Sequence, residues 1–230
     1  MPKDNLYKVK EIFYTLQGEG AQAGRPSVFC RFSKCNLWSG QEKSRASAIC
    51  NFCDTDFNGT DGQNGGTYTI EELVSKISSL WPDLNQGSPY VVCTGGEPLL
   101  QLNEPLIELL HSAGFEVGVE TNGTLPAPKG IDWLCVSPKG VAEVVIDECD
   151  ELKLVYPQSD ALPETFTHIQ AKHYYLQPMA DYKPQLIISD HLLAARAGLS
   201  KSNTKAAVEY CLTNPKWKLC LQTHKYLEID

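Results

Sequence analysis

The strongest limit on the fold is a series of short β-rich runs spaced closely along the chain, several of them almost wholly apolar: YVVCT (90–94), FEVGVE (115–120), WLCVS (133–137), LKLVY (152–156), YYLQP (174–178) and KLCLQ (218–222). YKVKEIFY (7–14) and SVFCRF (27–32) precede them. Runs that do not alternate apolar with polar residues suit strands buried on both faces, as in a parallel sheet or barrel. Parallel neighbours need a crossover, yet only about a dozen residues separate FEVGVE from WLCVS, and the link to LKLVY is similar. Neither link holds a full helix and its turns. Helices are correspondingly few. TIEELVSKISSLW (69–81) opens with Thr69 and Glu72 spaced as a capping box, and Ile70, Leu73, Val74, Ile77 and Leu80 fall on one face. LLQLNEPLIELLHSAG (99–114) ends at Gly114, with Pro105 kinking or delaying it, and NTKAAVEYCLTNP (203–215) starts at Asn203 and stops before Pro215. SDHLLAARAG (189–198) is a weaker fourth segment. The expectation is an α/β fold with fewer helices than strands, an incomplete barrel in one domain over residues 1–230, because no low-complexity linker divides the chain.

A formal charge of -8 argues against nonspecific nucleic-acid binding. The N-terminus has no apolar signal-peptide core, and no run approaches the roughly 20 apolar residues that cross a bilayer. The expected setting is the cytoplasm, with no nucleic-acid or membrane partner. Reducing conditions there disfavour a disulfide framework for the nine cysteines. Cys93, Cys135, Cys211 and Cys220 sit in apolar runs and read as core residues, while Cys30 and Cys149 have no companion at ligand spacing. Cys35, Cys50 and Cys53 remain, spaced C-x14-C-x2-C.

Two chemistries suit that triplet. A structural zinc wants a fourth Cys or His, and His111, His168, His173, His191 and His224 lie singly along the chain. An iron–sulfur cluster takes thiolates, and three cysteines on four irons leave one iron open to an outside ligand. In a parallel fold that ligand would meet the loops following the strands: TGGEP from Thr94, ETNG from Glu120, SPK from Ser137, QPM from Gln177 and QTHK from Gln222. In the first of these, Gly95 and Gly96 let backbone approach a ligand, and Glu97 offers a carboxylate to a cationic group.

Together with TLQGEG from Thr15, FCRFSKC ahead of and including Cys35, and CDTDF from Cys53, these loops resemble the 7-carboxy-7-deazaguanine synthases, a branch of the radical S-adenosylmethionine enzymes. The likeness runs from about residue 7 to the C-terminus. Most of that superfamily carries C-x3-C-x2-C, so residues 36–49 are an enlarged cluster loop here, and residues 181–202 are an insertion.

The resemblance implies a partial TIM-like barrel of the radical S-adenosylmethionine type. It implies a 4Fe-4S cluster on Cys35, Cys50 and Cys53, with S-adenosylmethionine chelating the open iron and its 5'-deoxyadenosyl radical taking hydrogen from C6 of 6-carboxy-5,6,7,8-tetrahydropterin. Ring contraction would then give 7-carboxy-7-deazaguanine and ammonia, a step of queuosine and 7-deazapurine synthesis. Leu16, Gln17, Gly18, Glu19, Arg31, Thr94, His224 and the C-terminal Asp230 would meet the substrate, Glu19 accepting paired N–H donors and Arg31 forking onto a carboxylate. Phe52, Gly95, Gly96, Glu97, Ser137, Pro138, Lys139, Gln177, Pro178, Met179 and Ala180 would line the S-adenosylmethionine pocket. Thr55 would bind Mg2+, with Asp54 an alternative ligand, and Glu120 would serve as acid or base. The implied partners are the pterin, an electron-donor protein such as a flavodoxin, and a second copy in a homodimer. Two other readings stay open, a glycyl-radical activating enzyme acting on a protein partner and a zinc-stapled binding module.

Overall fold

The computed structural model describes residues 6–180 and 201–229. Among them nine strands form one sheet: β1 (Tyr7–Leu16), β2 (Pro26–Phe32), β3 (Gly66–Tyr68), β4 (Tyr90–Gly95), β5 (Glu116–Thr121), β6 (Trp133–Val136), β7 (Glu148–Tyr156), β8 (Gln170–Pro178) and β9 (Lys218–Leu219). Their order is β3-β1-β2-β4-β5-β6-β7-β8-β9. Every pair from β2 through β4 to β9 is parallel, whereas β1 runs antiparallel to both β2 and β3. The order begins at β3 and ends at β9, so the sheet does not close into a full barrel.

Helices α1 (Ile70–Leu80), α2 (Glu104–Ser112), α3 (Lys201–Thr213) and α4 (Thr223–Leu227) are fewer than the strands among the described residues. Val28, Val91 and Val117 of β2, β4 and β5 pack with Leu73 and Ile77 of α1 and with Leu106 and Leu110 of α2. A second cluster joins Leu152, Leu154 and Leu176 of β7 and β8 to Ala207 of α3 and to Trp217. Each such Leu, Ile or Val contributes about 1.5–3 kcal/mol by leaving water, so these two covered patches anchor the two halves of the sheet. The links from β5 to β6 and from β6 to β7 carry no helix, as their length requires.

The Thr69 capping box forms as expected: Thr69 Oγ1 accepts from the Glu72 N–H at 3.3 Å, and Glu72 Oε2 accepts from the Thr69 N–H at 2.9 Å. Helix α2 starts later than its apolar run. Glu97 accepts from the Leu99 N–H at 2.9 Å and fixes a 3-10 turn over Pro98–Leu100, after which Asn103 caps α2 by accepting from the Leu106 N–H at 3.1 Å. Pro105 then falls in the first turn, where its missing N–H breaks no helical bond. Among the described residues helix α3 runs from Lys201, so Asn203 lies inside it, and its side-chain amide donates to the Met179 carbonyl at 3.0 Å. The segment 189–198 and most of the 181–202 insertion lie outside the described residues.

The open side of the sheet is spanned by the turn after β1. The Gly20 N–H donates to Cys220 Sγ at 3.1 Å, the Ala21 N–H to Glu151 Oε2 at 2.8 Å, and the Thr223 N–H to the Gly18 carbonyl at 2.9 Å. These bonds hold residues 17–21 against β7 and the C-terminal segment, directly beside the ends of the parallel strands.

Candidate active site

The strand ends and the turn after β1 enclose a cavity of about 440 Å3, within the size range of small-molecule sites. Cys35, Cys50 and Cys53 all line it. Their loop contains a 3-10 turn, Glu42–Ser47, that presents Arg45. The Arg45 guanidinium sits 4.1 Å from the centre of the Trp38 ring, donates to the Asn51 and Cys53 carbonyls at 3.1 and 2.9 Å, and pairs with Glu42 at 2.6 Å. The enlarged loop thereby clamps the C-x2-C turn from outside.

The Cys35 sulfur accepts from the Leu37 N–H at 3.4 Å, and burial raises the thiol's pKa. The Cys50–Cys53 hydrogen bond lowers Cys53 to about 7 and raises Cys50, while the Lys139 ammonium favours the thiolate of both. Gly96 passes so close to Cys35 that a Cβ there would stand 2.2 Å from the Lys34 carbonyl oxygen and 2.7 Å from the Cys35 Cβ. Three free thiols on one cavity, with a backbone N–H and an ammonium nearby, are a donor set that fits an iron–sulfur cluster. Among the described residues no three His, Cys, Asp or Glu side chains converge on one ion position. The cysteines of a four-iron cluster bind different irons and need not converge.

Elsewhere in the same cavity the polar groups are tightly paired. Lys153 of β7 places Nζ 2.7 Å from Glu19 and 2.7 Å from Glu120. Glu19 also accepts from Gln222 at 2.9 Å, and Glu120 from Gln17 at 3.2 Å. Burial alone would raise the Glu19 carboxyl, but the Lys153 charge and the hydrogen bonds from Lys153 and Gln222 outweigh it and bring it down to about 2. Arg31 donates through Nε to Glu11 at 2.7 Å. His224 lies against Gly18, where a Cβ would come within 2.2 Å of its Nδ1, and burial lowers its pKa, leaving a neutral imidazole at pH 7.

Most of the residues picked out in the sequence meet here. Leu16, Gln17, Gly18, Glu19, Arg31, Thr94 and His224 line the cavity, as do Phe52, Thr55, Gly95, Gly96, Glu120, Ser137, Lys139, Gln177, Pro178, Met179 and Ala180. Glu97 and Pro138 stand behind the wall. Glu97 Oε1 accepts from the Leu99 N–H at 2.9 Å and Thr121 Oγ1 at 2.8 Å, and Oε2 accepts from the Asn122 N–H at 2.8 Å. Its carboxylate therefore ties the end of β4 to the end of β5, and three donors leave one of its roughly four acceptor sites open. The Pro138 carbonyl accepts from Gln158 at 3.5 Å. Asp54, beside Thr55, is paired with Lys225 at 2.7 Å, and Asp230 lies outside the described residues.

The chain is 55% identical over 224 residues to the 7-carboxy-7-deazaguanine synthase of Bordetella pertussis, covering 97% of this chain and 99% of that one. The chain belongs to the 7-carboxy-7-deazaguanine synthase family. The synthase of Caulobacter vibrioides is 52% identical over 225 residues, covering 96% of this chain and 98% of its own. No protein-family model matches. The crystal structure of QueE from Escherichia coli superposes with a TM-score of 0.66, covering 97% of this chain and 100% of that one, at 24% identity, which bears on the fold alone. In this member of the synthase family Lys153, Glu11 and Trp38 also line the cavity, none of them singled out from the sequence, as does Gln222, the first residue of the QTHK loop. Lys153 had a readable signal, a lysine inside the otherwise apolar run LKLVY, because a buried ammonium demands a carboxylate partner.

Proposed function

We propose that the chain contracts the ring of 6-carboxy-5,6,7,8-tetrahydropterin to 7-carboxy-7-deazaguanine, releasing ammonia, as a radical S-adenosylmethionine lyase of queuosine and 7-deazapurine synthesis. The observation that carries this is one shared cavity, in which three free thiols and the buried Glu19–Lys153–Glu120 set both take part. Kinship over nearly the full length of the family supports it.

Cys35, Cys50 and Cys53 would hold the 4Fe-4S cluster, with Phe52, Gly95, Gly96, Glu97, Ser137, Pro138, Lys139 and residues 177–180 around S-adenosylmethionine. When bound, the two groups supply one-electron radical chemistry that side chains lack. Glu19, kept ionised, would accept the paired N–H donors of the pterin edge. Arg31, held at Nε by Glu11, would present its terminal amino groups to the substrate carboxylate. Thr55 would give its hydroxyl to Mg2+, an ion that takes few protein ligands when substrate oxygens and water complete its shell. Glu120 would serve as the acid or base while the carbon–nitrogen bond breaks. His224 would cover the substrate as a neutral ring. This reading also carries a single domain over residues 1–230, a homodimer, an electron donor such as a flavodoxin, and a cytoplasmic setting. No helix among the described residues is long and apolar enough to cross a membrane.

The test is turnover without any protein partner. Protein prepared without oxygen should contain iron and sulfide, absorb visible light, and release ammonia from the pterin when given only S-adenosylmethionine, Mg2+ and a reductant. Turnover of some other protein in place of the pterin would favour a glycyl-radical activating enzyme. A colourless protein holding one zinc would contradict both.

A further inference from the structure

We propose that Lys153 is a positioning residue for substrate recognition, locking the Glu19 and Glu120 carboxylates into one geometry and keeping Glu19 a pure hydrogen-bond acceptor. The proposal rests on the substrate role given to Glu19 above.

Lys153 lies in β7 between the buried Leu152 and Leu154, and its side chain is only 5% exposed. An ammonium in that position costs several kcal/mol unless it is paired. It is paired twice: Nζ donates to Glu19 Oε2 and to Glu120 Oε2, each at 2.7 Å. The two carboxylates come from the turn after β1 and from the end of β5, which no strand pairing joins. Lys153 therefore links the turn that spans the open side of the sheet to the strands that form the cavity. The second oxygen of each carboxylate is also held, Glu19 Oε1 by Gln222 at 2.9 Å and Glu120 Oε1 by Gln17 at 3.2 Å. Gripped on both oxygens, each carboxylate has one fixed orientation, and its remaining lone pairs are what a ligand meets.

The charged and titratable groups facing Glu19 are Lys153 of β7, Cys220 after β9 and His224 of α4, while Glu120 of β5, Cys135 of β6 and Glu151 of β7 face Lys153. Burial raises Glu151, Cys135 and Cys220, and lowers His224, so each of these tends to its neutral form. The Lys153 ammonium is what opposes the burial of Glu19. Without it Glu19 would take up a proton at higher pH, and a protonated carboxyl cannot accept from two N–H donors at once through both oxygens.

The experiment is equilibrium binding of 6-carboxytetrahydropterin to the anaerobically prepared holoenzyme by calorimetry, between about pH 5.5 and pH 8.5. The wild type sets the baseline, since its Glu19 stays ionised throughout. Lys153→Met should bind about 30-fold more weakly at about pH 6 and recover as pH rises, while Lys153→Arg should follow the wild type. Affinity lost equally at every pH, or not lost at all, would overturn the proposal. Should Lys153→Met fail to fold, Lys153→Gln, which keeps a donor without the charge, must show the same pH slope. A wild type that does not bind the pterin counts against the function proposed above. A wild type that binds it, beside a pH-insensitive Lys153→Met, counts against Lys153 alone.

Discussion

Cys53→Ser is expected to abolish product formation, with turnover falling at least about 100-fold, beyond the range seen when groups outside the ligand set are changed. The substituted chain should stay folded, because Cys53 belongs to neither of the two apolar clusters that anchor the sheet. It should lose iron and sulfide. Cys53 is the thiol its surroundings prepare best: its carbonyl is pinned by Arg45 at 2.9 Å, and the hydrogen bond from Cys50 lowers its pKa to about 7. Serine keeps the shape and loses the soft donor that selects a cluster. Cys93→Ala is the control. That thiol is buried in the first core cluster, and burial pushes its pKa up to about 12, so its loss should leave iron, sulfide and turnover close to wild type. Metal analysis beside the product rate reads both variants. A fully loaded Cys53→Ser protein would remove the cysteine from the ligand set.

Glu19→Gln is expected to lower kcat/KM by about 100-fold, close to 3 kcal/mol and chiefly through KM, the scale of hydrogen bonds made to a charged group. Glutamine has one acceptor oxygen where the carboxylate has two, and its amide N–H2 would meet the N–H donors of the pterin edge head-on. It also leaves the buried Lys153 ammonium with Glu120 as its remaining close carboxylate. Steady-state kinetics with the pterin varied separates the outcomes. A raised KM with little change in kcat supports recognition in ground and transition state alike. An unchanged KM would confine Glu19 to holding the turn after β1 against β7.

The strands were legible because runs such as YVVCT and WLCVS are apolar on both faces, a pattern that little but a covered parallel sheet accommodates. Strand β3, Gly66–Tyr68, was not, since three residues opening on glycine carry no periodicity; its place comes from pairing with Tyr7, Lys8 and Val9 of β1. The start of α2 was misread from the apolar run because the deciding event is distant in character from helix propensity: the Glu97 side chain captures the Leu99 N–H and diverts the backbone into a 3-10 turn. That bond also explains why Glu97 turned out to brace β5. A carboxylate in a Gly-Gly-Glu loop looks free in sequence, and only the folded chain shows that Thr121 and Asn122 also donate to it. The cavity was legible through its loops and cysteines, each marked by spacing. The pairing inside it was not, because Lys153 and Gln222 reach partners 134 and 203 residues away along the chain. The length of the cluster loop, puzzling as a spacing, acquires a reason in Arg45, whose grip on the C-x2-C turn a three-residue loop has no room to supply.

The measurement that bears most directly on the central claim is mass spectrometry of the reaction mixture from cluster-loaded protein, 6-carboxytetrahydropterin, S-adenosylmethionine, Mg2+ and reductant under strict exclusion of oxygen. The predicted result is 7-carboxy-7-deazaguanine accumulating with an equal amount of ammonia, and none from Cys53→Ser. An intact cluster, bound pterin and no deazaguanine would contradict it.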